Sequence, residues 1–187
     1  MDVMEAVHRR RAYRVFDTRP IEEEKVDALM EAMRLSPSCN NNQPWRVVLC
    51  QGESLPKVKE ALSKGNVWAT QAPLIMVIAA RPADDCRNNE GRDYYLFGCG
   101  LAVGEMVLRA TELSLIAHPI AGYDPKKVRE VCGIPDDYVV ITLVNCGYPG
   151  EDESLLSDKQ KAQQRERPTR KPIGENFFRE IWGNPMA

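Results

Sequence analysis

Side-chain amides are concentrated in one short stretch of the chain. Residues Pro37 to Trp45 have the sequence Pro-Ser-Cys-Asn-Asn-Asn-Gln-Pro-Trp. Asn side chains compete with the backbone for hydrogen bonds and each Pro removes a backbone donor, so the stretch predicts a fixed loop. Each amide offers a donor and an acceptor, which suits recognition of the edge of a heterocycle. An ordinary Asx-rich turn is the alternative.

Positive charge is concentrated near the two ends of the chain. Four Arg and no acid lie between His8 and Arg14, and six basic residues with the single acid Glu166 lie between Lys159 and Lys171. The net charge is −2, so the rest of the chain is acidic. Two basic clusters in an acidic protein favour a compact anion such as a phosphate group. Two solvated basic surfaces are the alternative.

Length and composition limit the class of protein. A chain of 187 residues favours one domain with a sizeable core. Hydrophobic residues make up 43% and charged residues 28%, which are values of a globular protein. The small net charge gives no reason to expect a nucleic-acid partner. Without a long apolar run or a signal-peptide pattern, we expect a cytoplasmic protein with no membrane partner.

Cysteine and histidine offer little material for a metal site. The six Cys lie at positions 39, 50, 86, 99, 132 and 146, without any CxxC pair. Several lie in apolar runs, where Cys acts as a small hydrophobic residue. We therefore expect reduced thiols rather than disulfides or zinc ligands. His8 and His118 are the two histidines, so neither a metal centre nor a catalytic triad is expected.

The periodicity of apolar residues predicts the elements that must position these groups. Helices are predicted over residues 22–35, 93–113 and 174–182, and strands over 45–50, 73–80 and 138–146. Their irregular alternation favours an α/β or α+β fold without a doubly wound sheet. The second helix carries Gly98, Gly100, Ala102 and Gly104, and such small residues favour close approach of another backbone, for example a second copy across a dimer axis. Their spacing does not match a dinucleotide-binding fingerprint.

The C-terminal segment, residues 151–187, has a different composition. It is almost free of aliphatic residues after Leu156 until the final predicted helix, which carries Phe177, Phe178 and Trp182. Three aromatic side chains so close to a terminus should be buried. They could dock within one subunit or form an arm exchanged between two subunits.

Two motifs resemble those of a known family. Arg-Arg-Ala-Tyr-Arg-Val-Phe at residues 10–16 resembles the Arg-Arg-Ser-x-Arg-x-Phe motif with which FMN-dependent nitroreductases grip the flavin phosphate, and residues 37–45 resemble that family's Pro-Ser-x-x-Asn-x-Gln-Pro-Trp loop. The resemblance implies a single α+β domain over residues 1–187, a three-layer α-β-α nitroreductase-like fold with a mostly antiparallel central sheet flanked by helices. It also implies a homodimer in which residues 151–187 pack on the partner subunit.

The resemblance implies a set of cofactor contacts. Arg10 and Arg14 would clamp the phosphate together with Arg170 and Lys171, and the 119–122 backbone would pass near the flavin ring. The implied FMN-binding residues are Arg10, Arg11, Ala12, Arg14, Pro37, Ser38, Cys39, Asn41, Gln43, Pro119, Ile120, Ala121, Gly122, Arg170 and Lys171. Ala12 stands where the family commonly has Ser, so one phosphate contact is missing. Asn66 and Trp68 are predicted to line the substrate pocket, with an ordinary buried Trp as the alternative for Trp68.

The implied activity is an FMN-dependent oxidoreductase of the nitroreductase type. It would take hydride from NAD(P)H and pass it to a nitroaromatic, quinone or similar small acceptor by a ping-pong mechanism. No catalytic side chain is needed, because the cofactor carries the chemistry. One alternative keeps the fold and the flavin but changes the reaction to enone reduction, dehalogenation or flavin destruction. Another is a non-enzymatic protein that binds RNA or another anion.

Overall fold

The computed structural model describes residues 1–87 and 89–186, which contain α-helices and an antiparallel sheet. The helices are α1 (Val3–Arg9), α2 (Glu23–Arg34), α3 (Ser54–Lys59), α4 (Tyr94–Glu112), α5 (Pro125–Cys132), α6 (Asp158–Arg165) and α7 (Ile173–Asn176). The strands are β1 (Phe16–Asp17), β2 (Trp45–Cys50), β3 (Leu74–Ala80), β4 (Ile116–Ile120) and β5 (Val139–Pro149). Among the described helices, none is both long and apolar enough to span a bilayer.

The long strand β5 organises the sheet, in which the strands run β1-β5-β3-β2 and β4 also pairs with β5. Every pairing is antiparallel. The sequence predicted that β5 would end at Cys146. It continues to Pro149 because residues 147–149 pair with the start of β4 and with β1.

Strand β3 separates two apolar cores, as expected of a strand buried on both faces. Leu74, Met76 and Ile78 pack into a core with α2 and α4. Ile75 and Val77 pack into a second core, which also contains residues of α3 and α5. Helices therefore cover both faces of a mostly antiparallel sheet, and the predicted three-layer α+β fold is confirmed.

The sheet holds the N-terminal Arg motif in place through β1. Phe16 pairs with Pro149, and the Gly150 N–H donates to the Val15 carbonyl at 3.1 Å. A Cβ atom at Gly150 would lie 2.5 Å from the Phe16 backbone, so this close approach requires glycine. Val15 and Phe16 are buried, and this fixes the direction in which the preceding arginines leave the sheet.

The chain divides into two compact units, Met1–Leu156 and Ser157–Ala187. In the second unit, Ser157 caps α6 and forms a capping box with Gln160. The helix predicted over residues 174–182 is wrong, because α7 ends at Asn176 and Phe177 is already extended. Glu180 and Gly183 then have positive φ angles, which interrupt any helix. Within one subunit the aromatic side chains are not all buried, since Trp182 is 90% exposed, and their burial against a partner subunit stays a prediction.

The expectation that every cysteine is a reduced thiol is wrong. Cys39 and Cys86 form a disulfide across a sequence separation of 47 residues. It joins the Asn-rich loop to the segment that follows β3. Cys50, Cys99, Cys132 and Cys146 are free thiols, as predicted. No short spacing motif marks the bonded pair, and only the packing of the two loops brings it together.

Candidate functional site

The N-terminal Arg motif lies against β4, where it surrounds a buried histidine. His118 is 8% exposed, and its Nδ1 lies 2.8 Å from the Tyr13 carbonyl oxygen. A carbonyl can only accept, so Nδ1 carries the proton of the neutral imidazole. The Arg14 guanidinium lies 5.9 Å from the centroid of the Trp68 ring, and the Trp68 and His118 rings are 4.6 Å apart. The tilted pair of rings formed by Trp68 and His118 therefore packs beneath the segment that carries the arginines.

The surroundings of His118 lower its pKa. Its pKa is lowered to about 4, mainly by burial and also by the positive charges of Arg14 and Arg10, whereas the bond to the Tyr13 carbonyl acts in the opposite direction. Both arginines therefore act electrostatically on one buried side chain. Burial also lowers the pKa of Arg14, which means that its charge is partly desolvated. A partly desolvated guanidinium group with a second arginine in the same motif is suited to binding an anion.

We expect His118 to make the protein less stable in mild acid. The pKa of His118 is about 6.5 in the unfolded chain and is lowered to about 4 in the folded chain. Stability is therefore complete above about pH 6.5 and is lost as the pH falls toward 4, because the unfolded state binds the proton first. The histidine contribution should amount to roughly 2 kcal/mol between pH 7 and pH 5. Urea unfolding at both pH values measures it.

Two variants isolate this contribution from that of the carboxylates. His118→Gln should show a smaller loss of stability between the two pH values than the wild type. His8→Gln removes the exposed histidine and should behave like the wild type. An equal pH dependence in all three proteins would contradict the assignment.

A cleft of about 550 Å³ opens between the Arg motif, β4 and one side of α4. Its lining comprises Arg10, Ala12, Ala117 and Pro119, together with the α4 residues Gly100, Leu101, Val103, Gly104, Glu105, Val107 and Leu108. The volume is that of a small-molecule site. A Cβ atom at Gly100 or Gly104 would meet nothing within 4 Å. The two glycines therefore leave space in the cleft wall rather than admitting a backbone of the same subunit.

The Asn-rich stretch forms the predicted fixed loop. Its backbone makes a 3₁₀ turn over Cys39–Asn41, and Asn40, Asn41 and Gln43 have positive φ angles. Asn adopts this region more readily than most residues, whereas Gln43 there indicates a constrained backbone. Ser38 Oγ accepts from the Gln43 N–H at 2.9 Å, and Gln43 Nε2 donates to the Asn41 carbonyl at 3.1 Å. Both side chains thus hold the loop in shape.

This loop packs against a part of α4 that does not line the cleft. A Cβ atom at Gly98 would lie 3.4 Å from Pro44 Cγ and 3.8 Å from Ser38 Cβ, so the loop packs against that side of the helix. Gly100, which lines the cleft, is two residues and about 200° further around the helix. Within the described part of one subunit, Pro37, Ser38, Cys39, Asn41 and Gln43 therefore do not line the cleft that contains Arg10.

The 119–122 segment continues from the cleft to a tight contact with Asn66. Pro119 lines the cleft, Ile120 is buried and Ala121 is exposed. Asn66 Nδ2 donates to the Gly122 carbonyl at 3.0 Å, and a Cβ atom at Gly122 would lie 2.5 Å from the same nitrogen. Gly122 therefore permits a close backbone approach, and part of the Asn66 amide is used to hold this segment.

The structure places the remaining predicted site residues as follows. Trp68 is 1% exposed, so the expectation that its side chain lines an open pocket is wrong and the alternative of an ordinary buried Trp is correct. The Arg11 guanidinium lies 5.0 Å from the centroid of the Tyr13 ring. Arg170 and Lys171 belong to the second unit, where Lys171 forms an ion pair with Glu175 at 3.4 Å. Their approach to a phosphate stays a prediction.

Sequence reasoning missed two contributors to this site. His118 was counted only as one of two histidines, although its ring lies against Trp68 and its Nδ1 lies against the Tyr13 carbonyl. The small residues of α4 were predicted to admit another backbone, for example that of a second copy, but their place in the wall of a cleft was not predicted. A histidine inside an apolar strand, opposite Asn145, was the available signal for the first.

Comparisons with known proteins agree on one family. The sequence model of the protein family described as Nitroreductase family matches residues 7–148 of this chain. An Archaeoglobus fulgidus protein with the provisional name NADH dehydrogenase/NAD(P)H nitroreductase is 29% identical and covers 97% of this chain and 99% of its own length. The Bacillus subtilis FMN reductase (NAD(P)H) is 24% identical over 80% of this chain and 67% of its own. A crystal structure described as an oxidoreductase containing FMN has a TM-score of 0.85 at 26% identity, covering 98% and 93% of the two chains.

Proposed function

Because this chain belongs to the nitroreductase family, we propose that it is an FMN-dependent oxidoreductase that uses NAD(P)H to reduce a small organic acceptor. Nitroaromatic compounds and quinones are the acceptor classes we favour, with donor and acceptor using one site in turn. The names of the relatives support the cofactor and the donor. The observation that carries the proposal is the pair Arg10 and Arg14 beside a cleft of ligand size.

The donor set fits FMN. A ribityl phosphate is a compact dianion, and guanidinium groups bind such anions through paired charge-assisted hydrogen bonds. Arg10 lines the cleft, and Arg14 acts on the same histidine from the same motif. The rest of the cleft is mostly apolar and includes glycine and alanine, which suits a flat aromatic ring. When bound, FMN supplies the hydride chemistry.

The residues of this chain then bind and orient. Arg10 and Arg14 would hold the phosphate of FMN, and Pro119 lines the cleft that would take the rest of the cofactor. The segment 119–122 keeps its shape because the Ile120 carbonyl accepts from Thr142 Oγ1 at 2.9 Å and the Gly122 carbonyl accepts from Asn66. We assign no catalytic side chain. Backbone N–H groups held in this way are suited to stabilising negative charge on a reduced ring.

We infer that a second copy of the chain completes the site. Ser38 and Asn41 belong to a loop that does not line the cleft of the same subunit. In a homodimer the loop would serve the flavin bound in the cleft of the partner. Phe97 on α4 is an exposed aromatic residue, which favours a contact between copies. A homodimer with two equivalent sites follows.

The C-terminal unit is the candidate for an exchanged arm. Its Ile173, Phe177, Ile181 and Trp182 side chains are exposed and apolar. Ending the chain before Gly174 should give monomers or loss of flavin, because the apolar side chains that would cover the partner are then absent. Sedimentation and flavin absorbance measure both. The full-length double variant Ile181→Ser, Trp182→Ser should weaken the dimer in the same direction, whereas an intact flavin-loaded dimer after truncation would refute the exchanged arm.

Colour and reduction test the activity itself. The purified protein should be yellow, and NAD(P)H should bleach the flavin absorbance under anaerobic conditions. Addition of a quinone or a nitroaromatic compound should restore the absorbance. A screen of acceptors against the reduced protein in a stopped-flow instrument would rank them. A colourless protein that FMN cannot reconstitute would instead favour a binding protein.

A further inference from the structure

A second group of reactive side chains lies outside the cleft, where the Asn-rich loop meets the segment after β3. Ligand atoms of Cys39, Asp85 and Cys86 all lie within 4.8 Å of one another. Asp85 is buried and the two cysteines are half-buried, so the group is enclosed. The Cα atoms of Cys39 and Cys86 are 6.1 Å apart, a separation from which both sulfurs can reach one ion after the disulfide is reduced.

The Asp85 carboxylate also points to a ligand, because one of its oxygens is buried without a partner among the described residues. Its Oδ1 accepts from the Cys86 N–H at 2.8 Å and from Asn42 Nδ2 at 3.2 Å. Its Oδ2 is buried and has no hydrogen-bond partner among the described residues. The side chain is 7% exposed, and a buried carboxylate oxygen without a partner is costly. A cation next to Oδ2 would remove this cost.

Asparagine side chains provide the outer contacts that such a site needs. Asn40 Nδ2 lies 3.5 Å from Cys86 Sγ, and Asn42 Nδ2 lies 3.7 Å from the same sulfur. Amide N–H groups stabilise a thiolate and orient it toward an ion. Asn42 also donates to Asp85, so it holds two of the three ligands. The amides of this loop thus face the cysteine pair as well as the loop backbone.

We propose that reduction of the Cys39–Cys86 disulfide creates a binding site for a divalent transition metal of the zinc class, with Cys39, Cys86 and Asp85 as protein ligands. Two thiolates and a carboxylate are a donor set that Zn²⁺ accepts, and a water molecule would fill the fourth position. In the disulfide form the sulfurs are bonded to each other and cannot serve as thiolate ligands. The site is thus present in one redox state of the protein and absent in the other.

An external dithiol serves as the reductant of the Cys39–Cys86 disulfide. Two electrons from the dithiol break the Sγ–Sγ bond, two protons convert the sulfurs to thiols, and the dithiol becomes a disulfide. Binding of one divalent ion then releases the two thiol protons. Neither step requires the flavin, so failure of this proposal and failure of the proposed oxidoreductase activity are distinguishable.

Cobalt binding tests the proposal, because Co²⁺ reports thiolate ligands by near-ultraviolet absorption. The protein is prepared in its oxidised form and after treatment with a dithiol that is then removed anaerobically. We expect the reduced protein to bind one more Co²⁺ per chain than the oxidised protein, to show the thiolate band, and to lose that band when Zn²⁺ is added. Equal binding by both forms would overturn the proposal.

Three variants assign the ligands. Cys39→Ser should abolish the band. Asp85→Asn keeps the acceptor for the Cys86 N–H but replaces the buried oxygen, and it should weaken binding roughly tenfold or more. The matched control is Cys132→Ser, because Cys132 Sγ lies 3.7 Å from Cys50 Sγ in a second thiol pair. That control should bind like the wild type, and loss of the band there, or unchanged affinity in Asp85→Asn, would overturn the ligand set.

Discussion

Replacement of Arg14 by alanine is expected to weaken FMN binding by about 10- to 100-fold. A hydrogen bond between charged groups contributes about 1.5–3 kcal/mol, and each 1.4 kcal/mol corresponds to a factor of ten. Arg14 should be near the upper end, because its guanidinium is partly desolvated and is held over Trp68. Titration of the flavin-free protein with FMN, followed by quenching of flavin fluorescence, measures the change.

Arg9→Ala is the matched control for this experiment. Arg9 belongs to the same basic cluster, but it is exposed at the end of α1 and forms an ion pair with Glu5 at 2.9 Å. Its loss should change FMN affinity little, because an exposed charge is screened. Arg14→Lys should fall between the two variants, since a lysine keeps the charge without the paired donors. Equal effects of Arg9→Ala and Arg14→Ala would mean that the phosphate site is misplaced.

Replacement of Trp68 by alanine is expected to lower the free energy of unfolding by about 3–5 kcal/mol. Trp68 is one of the largest fully buried side chains, and its ring lies 6.2 Å from Phe16 and 4.6 Å from His118. Its Nε1 also donates to the Gly65 carbonyl at 3.2 Å. The variant leaves a cavity beneath the Arg motif, so FMN affinity should fall as well. Urea unfolding measures the loss of stability.

Val67→Ala separates a core role from a pocket role. Val67 is in the same 3₁₀ turn and is exposed, so this variant should change stability by less than about 0.5 kcal/mol. If Trp68 lined a substrate pocket, its replacement would change the preference among acceptors and leave unfolding unaltered. That result would contradict the core assignment.

Local pattern was sufficient for most elements of the fold. The apolar run 73–80 predicted β3, and the helical spacing of 93–113 predicted α4 almost to the residue. Both elements are long and strongly patterned, so tertiary contacts did not need to override local preference. The final helix failed for the opposite reason. Its apolar residues lie in a short, turn-rich segment, and the helix found there, α7, is four residues long.

Local sequence patterns did not predict contacts between residues that are far apart along the chain. Cys39 and Cys86 are 47 residues apart, and neither has a neighbouring cysteine that would signal pairing. Trp68 was predicted to line a substrate pocket, with an ordinary buried Trp as the alternative, and the structure places its ring beside those of Phe16 and His118. In both cases the partner is chosen by the packing of elements that are remote along the chain.

Residue types at short spacing were enough to predict the family, the α+β class, the fixed amide loop and the arginines suited to a phosphate. Folding was needed to bring the Arg motif against a buried histidine, to pack the amide loop on a part of α4 outside the cleft, and to join Cys39 to Cys86. These facts follow from how β1, β4 and α4 pack on the sheet. Such packing joins residues by burial and direction, which spacing along the chain does not encode.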